Sequence, residues 1–267
     1  MDLKRILTTL LGLPAVVLVF LFGNEYIIGG VVLIASIICM YEYFGVIKKV
    51  SKPIEWIGYL SNIFIVFATF FKTDSLMKII VFSIPFIVML LFLQVILSNM
   101  KTTFKDVAYT LLGIIYIPFF LMFLELIRCM DHGKILIGYT FVISWSTDIF
   151  AYLIGRKWGK HKLSKISPKK SVEGSIAGVI GAICITTIYT WIANRLWGIE
   201  YSYLFIGIIC FVLSTVSQVG DFVASSIKRF VDIKDYGNLL PGHGGMLDRI
   251  DSLLFLAPFT YLIFLFV

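Results

Sequence analysis

Long apolar stretches recur along the whole chain and are separated by short polar segments. Most of them approach the roughly 20 residues that an α-helix needs to cross the hydrocarbon core of a bilayer. They do not show the roughly 10-residue alternating pattern of outer-membrane β-strands. The pattern therefore predicts an all-α, polytopic integral membrane protein with about nine transmembrane helices. The predicted spans are 6–23, 27–44, 56–71, 76–97, 107–127, 135–154, 175–193, 202–219 and 252–267.

The composition supports this interpretation. Apolar residues make up 59% of the 267 residues and charged residues 15%, whereas a soluble domain has roughly 45–50% and about 25%. A soluble enzyme of this length needs a polar surface, and so few charged residues cannot form one. Intrinsic disorder is excluded as well, because it requires low hydrophobicity and high charge.

The basic residues predict the orientation. With nine spans, 18 of the 23 Lys and Arg residues fall on the same face as the N-terminus, and such an excess marks the cytoplasmic side. We expect a cytoplasmic N-terminus, a first helix that is retained, and one membrane domain. The net charge of +7 then reflects contact with anionic membrane lipids, so no nucleic-acid partner is expected.

One acidic residue lies well inside a predicted span. Asp148 is about seven residues, or roughly 10 Å of helix rise, from the cytoplasmic end of its span. A carboxylate at that depth usually faces a cavity or a partner. The alternative is a buried ion pair with a Lys or Arg from the cytoplasmic end.

Most of the remaining unusual residues fall in two long cytoplasmic loops, 155–174 and 220–251. If the start of the second loop is helical, Asp221, Ser225 and Lys228 share one helix face. An acid, a hydroxyl and an ammonium group on one face suit a site for a metal ion and phosphate. The alternative is a solvated helix end with a surface Asp–Lys pair.

Glycines and acids follow further along the second loop. Gly244 and Gly245 allow backbone N–H groups to approach an anion closely. Asp248 and Asp251 can share a face at the start of the last helix, and two neighbouring carboxylates repel unless a cation lies between them. The phosphate-binding pattern GxxxxGK[ST] is absent, and the three histidines lack partners at zinc-ligand spacing.

These residues fall into recognisable motifs. The chain carries S-x-I-K-R at 225–229, K-D-x-G at 234–237 and L-P-x-H-G-G-M-x-D-R-I-D at 240–251, here called the signature segment (225–251). Upstream it carries D-x-x-A-Y-x-x-G-R at 148–156 and S-P-K-K-S-x-E-G at 167–174. Together they resemble the phosphatidate cytidylyltransferase (CDP-diacylglycerol synthase) family, closely over about residues 140–255.

The resemblance implies an activity. It implies transfer of a cytidylyl group from CTP to phosphatidic acid, which yields CDP-diacylglycerol and pyrophosphate and requires Mg²⁺. It also implies a multi-pass protein of the bacterial inner membrane whose active site faces the cytoplasm. We expect N-terminal transmembrane helices in residues 1–134 and the catalytic loops and signature in residues 135–267.

The resemblance also implies roles for individual residues. We expect Asp221, Asp248 and Asp251 to ligate Mg²⁺, and Asp148 and Tyr152 to line the cavity. Ser225 and the backbone at Gly244 and Gly245 would contact substrate, and His243 would contact phosphate or pack in the loop. The cations expected to hold phosphate groups are Lys169, Lys170, Lys228, Arg229, Lys234 and Arg249.

Two other functions remain alternatives. A CTP-dependent lipid kinase of the polyprenol type would release CDP instead of pyrophosphate. A transporter would carry paired broken helices and inverted repeats, and we find neither in the sequence. A second cation beside Mg²⁺ and assembly into a homodimer stay open at this point.

Overall fold

A computed structural model describes residues 18–20, 22–70, 76–164, 166–239 and 244–266. Within these ranges the regular structure is helical, as the sequence pattern predicts. A π-helical segment, Ile115–Phe119, interrupts the fourth helix around Pro118, which cannot donate a backbone hydrogen bond. The helices are α1 Glu25–Ile47, α2 Glu55–Ala68, α3 Leu76–Leu97, α4 Phe104–Cys129, α5 Gly133–Trp158, α6 Val172–Trp197, α7 Tyr203–Phe230 and α8 Leu247–Leu265.

Each predicted span from the second to the ninth coincides with one of these helices. Five of the described helices, α1 and α4 to α7, are long and apolar enough to cross a membrane. The prediction of an all-α polytopic membrane protein is therefore confirmed. The predicted first span, 6–23, lies largely outside the described residues, so the total of nine stays a prediction.

The helix ends are fixed by local hydrogen bonds. Asn24 caps α1 by accepting from the Ile27 amide at 2.9 Å. At the start of α4, Thr103 and Asp106 form a capping box, in which each side chain accepts from the other's backbone N–H. The carboxylate of Asp106 also accepts from the Lys52 amide at 2.7 Å, which ties the α1–α2 connection to α4.

The chain divides into two compact units. The first unit comprises Met1–Cys129 with Phe230–Ile250, and the second comprises Met130–Arg229 with Asp251–Val267. The predicted division at residue 134 concerned where the catalytic loops begin, and it stays a prediction.

In the first unit, the aromatic core lies between α1, α2 and α4. Tyr43 and Phe44 of α1 are fully or almost fully buried. The Tyr43 hydroxyl donates to the backbone oxygen of Tyr109 at 2.9 Å, so its polar atom is satisfied inside an apolar core.

In the second unit, α5 and α6 pack along much of their length through small residues. A Cβ atom on Gly178 of α6 would lie 2.9 Å from the backbone oxygen of Thr147 on α5. A Cβ atom on Gly174 would lie 2.9 Å from the Cα atom of Gly155. Small residues spaced four apart permit such close approach of transmembrane helices, and they set the α5–α6 distance here.

Candidate active site

The second unit contains a cavity of about 540 Å³. Its walls come from α5, the start of α6, the middle of α7 and the loop between α5 and α6. A cavity of this size accommodates a substrate of nucleotide dimensions. The residues that line it are Asp148, Ala151, Tyr152, Gly155, Arg156, Leu163, Ser167, Lys169, Lys170, Ser171, Gly174, Ser175, Gln218 and Asp221.

Two of the residues that line the cavity form an ion pair. The Lys170 ammonium group contacts the carboxylate of Asp221, and it also lies 4.5 Å from the centroid of the Phe222 ring. The carboxylate and the ring face both attract a cation. The sequence therefore brings two of the predicted site residues, from different segments, into direct contact.

Two further aspartates carry charge into the same region. Asp148 is accessible from the cavity, and its charge interacts with those of Asp221 and Lys170. Asp251 is only 9% exposed, and its charge interacts with those of Asp221, Asp148 and Lys228. Asp148 therefore lines the cavity, and its role toward substrate stays a prediction.

The chemistry of these carboxylates is compatible with Mg²⁺. In the parts of the chain that the structure describes, no group of three His, Cys, Asp or Glu residues lies close enough to hold a metal ion alone. Mg²⁺ usually takes only one or two carboxylates and fills its remaining positions with waters and substrate phosphates. Asp221 and Asp251, whose charges repel each other, carry carboxylate oxygens of the kind that Mg²⁺ accepts.

The predicted stripe on α7 is helical, because α7 continues to Phe230. Ser225 lies one turn beyond Asp221, with its hydroxyl 3.5 Å from the Asp221 carboxylate. Lys228 lies one turn further and interacts with Asp251, while Arg229 is exposed at the helix end. The structure therefore groups acid, hydroxyl and ammonium on this helix as the spacing predicts.

The loop between α5 and α6 folds back on itself as a hairpin loop (residues 159–171, of which Lys165 lies outside the described part). The Leu163 amide donates to the Lys170 oxygen at 2.9 Å, and the Val172 amide donates to the His161 oxygen at 2.9 Å. Lys162 and Ser171 form an isolated bridge. These bonds hold Lys170 at the base of the hairpin loop, where it reaches Asp221.

Glu173, at the start of α6, anchors the hairpin loop. Its carboxylate accepts from the amides of Lys160 at 3.1 Å and His161 at 3.2 Å. It also lies 2.6 Å from the Nδ1 atom of His161. Glu173 therefore closes the loop that carries Lys169 and Lys170.

Gln218 and Ser175 join two walls of the cavity. The Ser175 hydroxyl donates to the Gln218 side-chain oxygen, and the Gln218 amide donates to the Ser175 backbone oxygen at 3.2 Å. Sequence reasoning missed both residues. Gln218 is a polar residue three positions before Asp221 in an apolar helix, and this position could have identified it as a site residue.

The first unit holds residues 230–250 of the signature segment. The Asp248 carboxylate accepts from the amides of Tyr236 at 2.8 Å and Gly245 at 3.0 Å. Gly244 has a φ of +83°, a conformation that favours glycine. Lys234 and Arg249 are exposed in this unit, and His243 lies outside the described residues.

Tyr152 is 61% exposed beside the cavity. Its hydroxyl accepts from the Arg156 guanidinium at 3.0 Å. The pair places a cation and an aromatic ring at the rim of the cavity, where sequence reasoning expected only a wall residue.

Comparison with known proteins identifies the family of this chain. Residues 3–267 match the cytidylyltransferase family. The chain is 40% identical over 195 residues to a phosphatidate cytidylyltransferase of Bacillus subtilis, covering 72% of this chain and 70% of that protein. It is 37% identical over 185 residues to a phosphatidate cytidylyltransferase of Thermotoga maritima, covering 68% of each. It is 38% identical over 167 residues to that of Staphylococcus saprophyticus, covering 61% of each. The chain therefore belongs to the cytidylyltransferase family.

Proposed function

We propose that this membrane protein transfers a cytidylyl group from CTP to phosphatidic acid, forming CDP-diacylglycerol and pyrophosphate. The observation that carries the proposal is the cavity in the second unit, which Lys170, Asp148 and Asp221 line in a member of the cytidylyltransferase family. A triphosphate and a phosphate monoester are both anions, and the cations of this cavity suit them.

The reaction needs no protein nucleophile. The phosphate oxygen of phosphatidic acid attacks the α-phosphorus of CTP, and the bond to the β-phosphate oxygen breaks. Catalysis then consists of positioning the two substrates and neutralising their charge. Lys169 and Lys170 would hold phosphate oxygens from the hairpin loop, and Lys228 and Arg229 would do so from α7.

Mg²⁺ is part of the proposal. Asp221 and Asp251 would ligate it in the second unit, and the assignment of Asp248 as a ligand stays a prediction. When bound, Mg²⁺ neutralises the developing charge on the pyrophosphate leaving group. Contacts of substrate with Lys234, Arg249 and the backbone at Gly244 and Gly245 stay predictions.

We also place the protein in the inner membrane with its active site toward the cytoplasm. The excess of Lys and Arg on one face supports this orientation. Both substrates fit it, because CTP arrives from the cytoplasm while the acyl chains of the lipid stay in the bilayer. A homodimer stays a prediction that the mass of the detergent-solubilised protein tests.

The decisive experiment is product analysis. Purified protein is incubated in mixed micelles with Mg²⁺, CTP labelled at either the α- or the γ-phosphate, and phosphatidic acid or, in parallel, a polyprenol or diacylglycerol. We expect α-label in CDP-diacylglycerol, γ-label in pyrophosphate, and loss of both products when EDTA is added. Transfer of γ-label to a polyprenol or diacylglycerol with release of CDP would instead identify a lipid kinase.

A further inference from the structure

We propose that Glu42, a buried acid of α1, is a positioning residue that holds the signature segment and through it Asp248. The inference rests on the proposed function and on the prediction that Asp248 is a Mg²⁺ ligand. All the contacts that carry it lie within the first unit.

Glu42 binds the start of α8 with both of its carboxylate oxygens. Oε1 accepts from the Met246 amide at 2.9 Å, and Oε2 accepts from the Leu247 amide at 2.8 Å. The first N–H groups of a helix lack partners within that helix, and an anion at that end is favourable. Glu42 is 5% exposed, so water does not compete strongly for these bonds.

Two glycines of the signature segment make room for this carboxylate. A Cβ atom on Gly245 would lie 2.6 Å from Oε2 of Glu42. A Cβ atom on Gly237 would lie 2.8 Å from Oε1. The Glu42 carboxylate therefore fills a space that the two glycines leave, and the segment closes around it.

The path from Glu42 to Asp248 is short. Glu42 holds the amides of Met246 and Leu247, which are the two residues between Gly245 and Asp248. The Gly245 amide in turn donates to the Asp248 carboxylate. A shift of Met246 and Leu247 therefore changes the direction of the Asp248 side chain, although Glu42 itself touches no reacting atom.

The test compares Glu42→Gln with Glu125→Gln. The first substitution keeps the size of the side chain but replaces one acceptor oxygen with an NH₂ group, which cannot accept from an amide. Glu125 is a matched control, because it is a buried carboxylate of the same unit, 2% exposed, that accepts from the Thr69 hydroxyl.

Three quantities are measured in detergent: the Mg²⁺ concentration for half-maximal turnover, Mn²⁺ binding by electron paramagnetic resonance, and the melting temperature. We expect Glu42→Gln to raise the Mg²⁺ requirement and weaken Mn²⁺ binding at least about 10-fold, the usual cost of removing a residue that orients a metal ligand. Glu125→Gln should leave both metal readouts unchanged even if it lowers the melting temperature.

The outcomes separate the inference from the proposed function. Wild-type metal dependence in a folded Glu42→Gln variant would overturn the positioning role. Absence of cytidylyl transfer in the wild-type protein would instead refute the proposed function. If Glu42→Gln does not fold, Gly245→Ala tests the same contact from its other side, and it should shift Mn²⁺ binding in the same direction.

Discussion

Lys170 and Asp221 form a direct ion pair in the cavity of the second unit. The cation expected to hold phosphate is therefore bound to the acid expected to ligate Mg²⁺. Under the proposed function, Asp221 would hold Mg²⁺ and Lys170 would hold a phosphate oxygen, so each would exchange its present partner when substrate binds. In the structure, the two side chains neutralise each other's charge.

The first prediction concerns the acid of this pair. Asp221→Asn should lower turnover at least about 100-fold, the scale seen when an enzyme loses one group that stabilises transition-state charge. Initial rates of CDP-diacylglycerol formation are measured across Mg²⁺ concentrations. Asp131→Asn, at an exposed position, is the control and should retain its rate. Near-wild-type turnover in Asp221→Asn would refute its role as a ligand.

The second prediction concerns the cation. Lys170→Met keeps the length of the side chain and removes its charge. A hydrogen bond to a charged group contributes about 1.5–3 kcal/mol, so kcat/KM for CTP should fall about 10–100-fold. Lys157→Met removes an exposed lysine that lies over the Trp158 ring, and it should leave kcat/KM unchanged. Equal effects of the two substitutions would contradict a specific role for Lys170.

The third prediction concerns the helix contact beneath the cavity. Gly178→Ala should destabilise the protein by about 1–3 kcal/mol, because the new methyl group overlaps the Thr147 backbone oxygen. Gly207→Ala on α7 meets nothing within 4 Å and should instead stabilise by about 0.5–1 kcal/mol. Thermal unfolding in detergent measures both, and a stabilised Gly178→Ala variant would show that the α5–α6 contact is not tight.

The fourth prediction concerns the anchor of the hairpin loop. Glu173→Ala removes the acceptor for the Lys160 and His161 amides, so trypsin should cleave several-fold faster after the lysines of this loop. Glu200→Ala, at an exposed position after α6, serves as the control. Digestion is followed by mass spectrometry of the released peptides. An unchanged cleavage rate in Glu173→Ala would show that other contacts hold the loop.

The helices could be predicted because the residues of each helix reflect the apolar environment in which that helix lies. A span must be apolar along its whole length to lie in a bilayer, so the local sequence is enough to locate it. The ends were less predictable. The fifth predicted span, which corresponds to α4, was expected to begin at residue 107. In the structure, α4 begins at Phe104, after the capping box of Thr103 and Asp106. Polar caps lengthen a helix beyond its apolar part.

The candidate site was predictable where residues are close in sequence and unpredictable where they are distant. The α7 stripe follows from helical spacing, and Asp148 was recognisable as a charge inside a span. By contrast, Glu42 meets Met246 across about 200 residues of chain. Glu42 lies near the end of an apolar helix, where an acid is common, so only the fold shows what it holds.

The contact between α5 and α6 has one more consequence. Glycines at 155, 174 and 178 bring the backbones of α5 and α6 together beside the cavity. A side chain can change rotamer to accommodate a substrate, whereas a backbone within a helix cannot. The distance between α5 and α6 on this side of the cavity is therefore fixed. Adaptation to substrates of different size then falls to the hairpin loop and its long lysine side chains. Variants with altered nucleotide preference should accordingly arise in residues 159–171 more readily than at the helix contact.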